Sequence, residues 1–119
     1  MKVIHIDDIE KVENSSALFT APVTLQAAVT DQEADNNIVY VNFPDGIANK
    51  FHTHNHDQIL VVTEGKGFIQ TKTERQEIVV GDVVLIKAGE VHKHGAIPGH
   101  TMTHISITPP QTSIDQVEE

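Results

Sequence analysis

The chain has 119 residues and no cysteine, and its 17 acidic residues outnumber 8 basic ones, for a formal net charge of −9 with histidine neutral. That length suits one domain able to bury a core without a covalent or metal staple. The missing cysteines exclude disulfides, thiolate zinc sites and iron–sulfur clusters, and so acidic a surface would repel a nucleic-acid duplex.

The opening stretch "MKVIHIDDIEKVE" carries acids where a signal peptide would be apolar. No apolar run approaches the length of a membrane-spanning helix, and a soluble cytoplasmic protein is expected. Only "DDIEKVENS" offers a helical turn. After it the dominant period is two. "TLQAAV", "NIVYVNF", "QILVVT", "GFIQTKT", "QEIVV", "DVVLI" and "MTHISIT" are short and rich in β-branched residues, the composition and alternation of half-buried strands. Turn signals separate them: "PDG" at 44–46, "EGKG" at 64–67, "GD" at 81–82, "AGE" at 88–90 and "PG" at 98–99. Residues 31–37 read as an exposed loop, and the tail "PPQTSIDQVEE" is expected to leave the sheet. The pattern predicts an all-β sandwich or small barrel.

Seven of the eight histidines lie within residues 52–104. His52 and His54 are two apart, so on a strand their imidazoles share a face. "VHKHG" repeats that spacing with His92 and His94. A strand returning beside the first would bring His92 to His52 and His54. With the amide oxygen of Gln58, three neutral imidazoles then surround a point, a donor set for a divalent first-row metal. His56 falls in the expected turn and reads as solvated or outside the ligand set. His5 and His100 read as ordinary surface histidines. His104 alternates with Met102, Ser106 and Thr108, and if Met102 faces a cavity His104 does too. A neutral imidazole there, near its ordinary pKa, could take a proton from a substrate hydroxyl; a packed structural histidine is the other reading. "ALF", Val23 and Leu25 suggest an apolar cavity or dimer wall.

These spacings resemble the two motifs of the cupin superfamily. Gly46, His52, His54, Gln58 and Gly65 match G-x5-H-x-H, an acid and a later glycine, with Gln58 in place of the glutamate. Gly81, Gly89 and His92 match the second motif, where Lys87 replaces a proline and Ala96 an asparagine. The resemblance implies a cupin (jelly-roll) β-barrel of two facing sheets over residues 1–119. It would have an N-terminal strand region at 1–36, metal-binding motifs at 46–65 and 81–96, and a flexible tail at 109–119. It implies one divalent metal held by His52, His54, Gln58 and His92. The glycines at 46, 65 and 81 are expected to adopt positive φ.

"HTH...Q.LVVT.G.G..Q", "GDVV", "HKHGA" and "MTHISI" are similar to the small bacterial cupins that include the manganese-dependent hydroxynitrile lyases. The likeness covers about residues 17–108, and the sequence departs from that group at its shorter tail. It implies manganese as the metal, with iron, nickel, cobalt or zinc tolerated by the same donors. It also implies His104 as the proton-transfer residue and His94 beside the site. Three function classes follow: a lyase working by Lewis-acid and acid–base chemistry on a small organic substrate, a metal-dependent dioxygenase, and a non-catalytic cupin that binds a small ligand or metal. A homodimer is expected, because short barrels leave edge strands that invite pairing, and cupins of this size commonly exchange an N-terminal strand, here "VTLQAAV".

Overall fold

The computed structural model describes residues 1–119. A turn of 3-10 helix at Ile6–Asp8 precedes ten strands: β1 (Val12–Asn14), β2 (Val23–Val29), β3 (Asn37–Phe43), β4 (His52–His54), β5 (Gln58–Thr71), β6 (Arg75–Val79), β7 (Val83–Ile86), β8 (His92–Ala96), β9 (Met102–Thr108) and β10 (Ile114–Gln116). No helix is long and apolar enough to cross a membrane. All strand pairings are antiparallel, in the order β1-β2-β3-β9-β5-β8-β4-β10, with β6 and β7 also paired to β5.

β5 joins the two halves of this jelly roll. Its first half, up to Gly65, pairs with β7 and β9, and its second half, from Lys66, pairs with β6 and β8. The sequence predicts a turn at "EGKG"; the structure runs one 14-residue strand through it. The physical reason is a bulge: the register with β9 shifts between Val62 and Glu64, and Gly65 takes φ +74°. A bulge bends a strand without ending it, so one strand serves both sheets. A Cβ at Gly65 would also collide with the Thr101 carbonyl. Gly46 and Gly81 have φ +67° and +95°, as expected for their turns.

The tail also departs from expectation. β10 pairs with β4, Ile114 opposite His54 and Gln116 opposite His52. Pro109 and Pro110 end β9, and Gln111, at φ +61°, helps to turn the chain back. Three exposed residues are too short a run to carry a readable period.

Inward-facing side chains divide the interior. Val23, Val41, Phe43, Val62, Ile78, Ala96 and Met102 form one buried apolar cluster. Histidines gather beside it, with Phe43 as the boundary: its ring lies 5.4 Å from His104 and 6.0 Å from His94 between centroids. Ala96, which replaces the second motif's asparagine, is part of this apolar cluster. At roughly 1.5–3 kcal/mol per fully buried large apolar side chain, the cluster is a source of stability separate from the histidines.

Candidate metal centre

β4 is a three-residue strand that presents His52 and His54 inward and Thr53 outward. Its partner β8 places His92 directly opposite His52. The ligand nitrogens of His52, His54 and His92 all lie within 4.8 Å of one another, and all three residues are buried. The returning strand thus brings His92 to the pair His52 and His54 that spacing puts on one face.

Hydrogen bonds set the tautomers of two of them. His52 Nδ1 lies 2.6 Å from the Lys50 carbonyl and His92 Nδ1 2.8 Å from the Glu90 carbonyl. A carbonyl can only accept, so each Nδ1 carries the proton and each Nε2 keeps a bare lone pair. His92 Nε2, both nitrogens of His54 and Gln58 Oε1 are buried without a hydrogen-bond partner. An orphaned buried polar atom costs about 1–3 kcal/mol, and folded proteins hold few of them. A divalent ion that takes one lone pair from each of these side chains would remove that part of the cost, so the residues fit a metal. Gln58 opens β5, facing inward beside the histidines. Its Nε2 donates to Ser106 Oγ at 2.8 Å, which leaves Oε1 free. The β4–β5 turn that positions it is tied to the chain before β8: Asp57 accepts from the Ala88 N–H at 2.9 Å and pairs with Lys87 at 2.6 Å. Lys87, at the position of the second motif's proline, therefore does a turn-anchoring job of its own.

His94 and His104 form a second, buried pair. Asn49 Oδ1 accepts the His94 backbone N–H at 2.8 Å. That fixes the amide, so Asn49 Nδ2 donates to His94 Nε2 at 3.2 Å. His94 then carries its proton on Nδ1 and donates it to His104 Nε2 at 3.0 Å. The remaining proton of His104 sits on Nδ1, which is buried without a partner. Asn49 is a residue that sequence reading missed. It is held by the close passage of residues 47–49 along β8, which needs Gly95: a Cβ there would run into Ala48.

Burial keeps every one of these imidazoles neutral. It pushes the pKa of His52 and His54 down to about 4, helped by the like charge His92 would carry, and it lowers His92 as well. His94 falls well below its ordinary value through burial and then the neighbouring His104, and burial alone takes His104 to about 4. The expectation that His104 sits near its ordinary pKa is therefore not met, because its ring is desolvated.

These shifts make a pH prediction. Folded-state values lie below the unfolded 6.5, so between about 4 and 6.5 the unfolded chain binds more protons. Stability of the metal-free protein is then full above pH 6.5 and is lost as pH falls toward 4. A group displaced from 6.5 to about 4 and titrating alone contributes about 3 kcal/mol. Urea unfolding of chelator-treated protein between pH 7.5 and 4.5 should give a midpoint that drops steeply below 6.5; a flat profile would contradict neutral buried imidazoles.

His52, His54, Gln58, His94 and His104 line one cavity of about 460 Å³, within the size range of small-molecule pockets. Leu18, Phe19, Leu25, Val39, Val41 and Phe43 make its apolar wall. His56 is half-buried in the β4–β5 turn and does not line this cavity, and His5 and His100 are exposed. Met102 shares the inward parity of His104 but packs in the apolar cluster and against Gly67, away from the cavity wall. A cavity expectation for Met102 is thus corrected: the cluster fills that end of the barrel.

A two-sheet jelly roll with neutral imidazoles converging in its interior defines the class. The family model for the cupin domain matches residues 39–107, and the chain belongs to the cupin family. It is 44% identical over 68 residues to an (R)-mandelonitrile lyase of Granulicella tundricola, a match that takes in 56% of this chain and 52% of that protein. The matched segment thus spans about half the length of that curated relative. A cupin-like protein of Thermotoga maritima superposes with TM-score 0.82 at 34% identity, covering 95% of this chain and 92% of that one. The polyketide cyclase RemF of Streptomyces resistomycificus superposes with TM-score 0.83 over 100% of this chain and 87% of its own; at 19% identity it shares the fold. The chain is a small cupin that resembles hydroxynitrile lyases.

Proposed function

We propose that this cupin is a metal-dependent lyase that cleaves a small cyanohydrin to a carbonyl compound and cyanide. The observation that carries the reading is that His54 and Gln58, each with buried polar atoms lacking a partner, share one cavity with a neutral His94–His104 pair, while His92, also with an unpartnered ring nitrogen, belongs to the same cluster as His52 and His54. The partial likeness to a mandelonitrile lyase supports the substrate class. We assign His52, His54, His92 and Gln58 as the ligands and manganese as the ion. With four uncharged donors, the ion keeps its full charge and supplies a Lewis acid for a substrate oxygen.

The rest of the chemistry belongs to the chain's own side chains. The apolar wall from Leu18 to Phe43 holds the substrate's hydrocarbon part and excludes water. His104 is neutral, and its Nε2 is the ring atom without a proton of its own. A substrate hydroxyl delivers its proton there once the His94 N–H turns aside. The carbon–cyanide bond then breaks, its electron pair leaves with cyanide, and the carbonyl forms from the former hydroxyl. His104 returns the proton to cyanide, which restores the neutral pair. Asn49 holds the His94 tautomer between turnovers. We also read the protein as a cytoplasmic homodimer; the cytoplasmic reading fits the absence of cysteine.

Incubation with mandelonitrile under anaerobic conditions tests this. Equimolar aldehyde and cyanide are expected. Oxygen uptake with another substrate and no cyanide release would instead assign a dioxygenase, and tight binding without turnover a non-catalytic cupin.

A further inference from the structure

Six buried side-chain nitrogen or oxygen atoms in the protein have no hydrogen-bond partner. Five belong to His54, Gln58, His92 and His104, at the centre described above. The sixth is Thr112 Oγ1. Thr112 lies in the tail, between β9 and β10, and lines the same cavity as the histidines. The residue as a whole is half-buried, so it is the hydroxyl that is turned away from solvent. A buried hydroxyl without a partner costs about 1–3 kcal/mol, and such a group in a folded protein calls for an explanation.

The backbone on both sides of Thr112 is pinned. The Gln111 N–H donates to Asp31 Oδ2, from the β2–β3 loop, at 3.2 Å. Asn55, in the β4–β5 turn, takes both flanks at once. Its Nδ2 donates to the Gln111 carbonyl at 3.2 Å, and its Oδ1 accepts the Ser113 N–H at 2.6 Å. Asn37, which also lines the cavity, holds backbone with its whole amide: Oδ1 accepts the Asp31 N–H at 2.9 Å and Nδ2 donates to the Pro109 carbonyl at 3.3 Å. Thr112 is thus held in place by its neighbours, while its own hydroxyl holds nothing.

The register relates this hydroxyl to the metal centre. Ile114, which also lines the cavity, pairs with His54. Thr112 is two residues earlier, on the order of 6–7 Å along the chain at strand rise, on the side of the β4–β5 turn. A substrate with its reacting hydroxyl at the metal centre and its hydrocarbon part on the apolar wall brings its far end toward Thr112. We propose that Thr112 Oγ1 is a specificity-determining contact for a second, neutral hydroxyl at that far end. The inference rests on the cyanohydrin reading above and narrows it to hydroxylated substrates. A threonine hydroxyl both donates and accepts, as a substrate hydroxyl does. A carboxylate or phosphate would find no lysine or arginine on the cavity, and Asp31 on its rim. A buried ammonium would need a carboxylate of its own, and Asp31 is exposed and tied to Gln111. One fixed polar group on a mostly apolar wall is how small-molecule pockets set orientation and specificity.

The test is calorimetric titration of the protein as purified with benzaldehyde, 3-hydroxybenzaldehyde and 4-hydroxybenzaldehyde. These are the carbonyl products of the matching cyanohydrins, so binding is read without turnover. The parent should bind at least one hydroxylated aldehyde about tenfold tighter than benzaldehyde, the worth of one well-placed hydrogen bond. Thr112→Val keeps the shape and removes the hydroxyl, and should bring that ratio to within about twofold of one. Thr112→Ala, which removes the hydroxyl with less bulk, should do the same, and Thr112→Ser should restore the preference. A melting curve for each variant reports whether it is folded. No binding or no preference in the parent, or a preference that persists in folded Thr112→Val or Thr112→Ala, would overturn the contact. Cyanide release from the three cyanohydrins tests the reaction separately. A parent that releases none, yet keeps a Thr112-dependent preference, would strike the lyase reading and leave the contact standing.

Discussion

His104→Ala should leave the metal in place and lower cyanohydrin cleavage by about 10²- to 10⁴-fold, the usual contribution of a general acid–base group. The residue comes from β9, twelve positions beyond His92 in sequence, and its Nε2 bonds to His94 and not to the three-histidine cluster. Removing it therefore subtracts a proton carrier and no ligand. It also leaves the His94 Nδ1–H unpaired in a buried setting, so some loss of stability is expected from an unsatisfied donor and a cavity beside Phe43. Metal content by elemental analysis separates the two effects from a lost centre, and a melting curve separates inactivity from unfolding. Parental turnover by the folded, metal-loaded variant would make His104 a packed core histidine and nothing more.

His54→Ala has the largest effect expected of any single change at the centre. Both nitrogens of His54 are buried without a partner, and its only assigned work is at the metal. Truncation should abolish stoichiometric metal binding and with it all metal-dependent turnover. The barrel should stay folded, since the seven-residue apolar cluster is built from other strands and does not include β4. The substitution also removes a buried imidazole that must be kept neutral, so the metal-free variant should lose less stability between pH 6.5 and 4 than metal-free parent does. Retention of a full metal equivalent by this variant would show that the ligand set is wrong.

Much of this architecture is legible in the chain because strand parity is a local property. His52 and His54 share a face for the same reason that Leu60 and Val62 do, and a spacing of two is visible without knowing any partner. The turns around Gly46 and Gly81 are equally local, and both glycines have the left-handed backbone their positions ask for. Contacts that depend on topology are less readable. The "EGKG" stretch looks like a turn because its composition is a turn's, yet the β9 carbonyl side accommodates Gly65 closely enough for β5 to continue. β10 is three exposed residues with no period to detect. Asn49 matters only because residues 47–49 run beside β8, and nothing in "IANK" signals that. Met102 and His104 have the same parity but sit at opposite sides of the Phe43 boundary, a distinction that depends on depth in the barrel and not on alternation. Ile38, Ile59, Leu85 and Ile107 likewise become neighbours only through the pairing order.

If metal at the His52–His54–His92 cluster drives a reaction without oxidation, activity must follow the ion and need no oxygen. The most direct measurement is anaerobic turnover of mandelonitrile by one preparation in three states: as purified, after chelation, and after adding back manganese, with metal per chain determined for each. Equimolar aldehyde and cyanide are expected from the first, loss of activity with the metal in the second, and recovery in the third. Undiminished cleavage by the metal-free protein, or product only when oxygen is admitted, would contradict it.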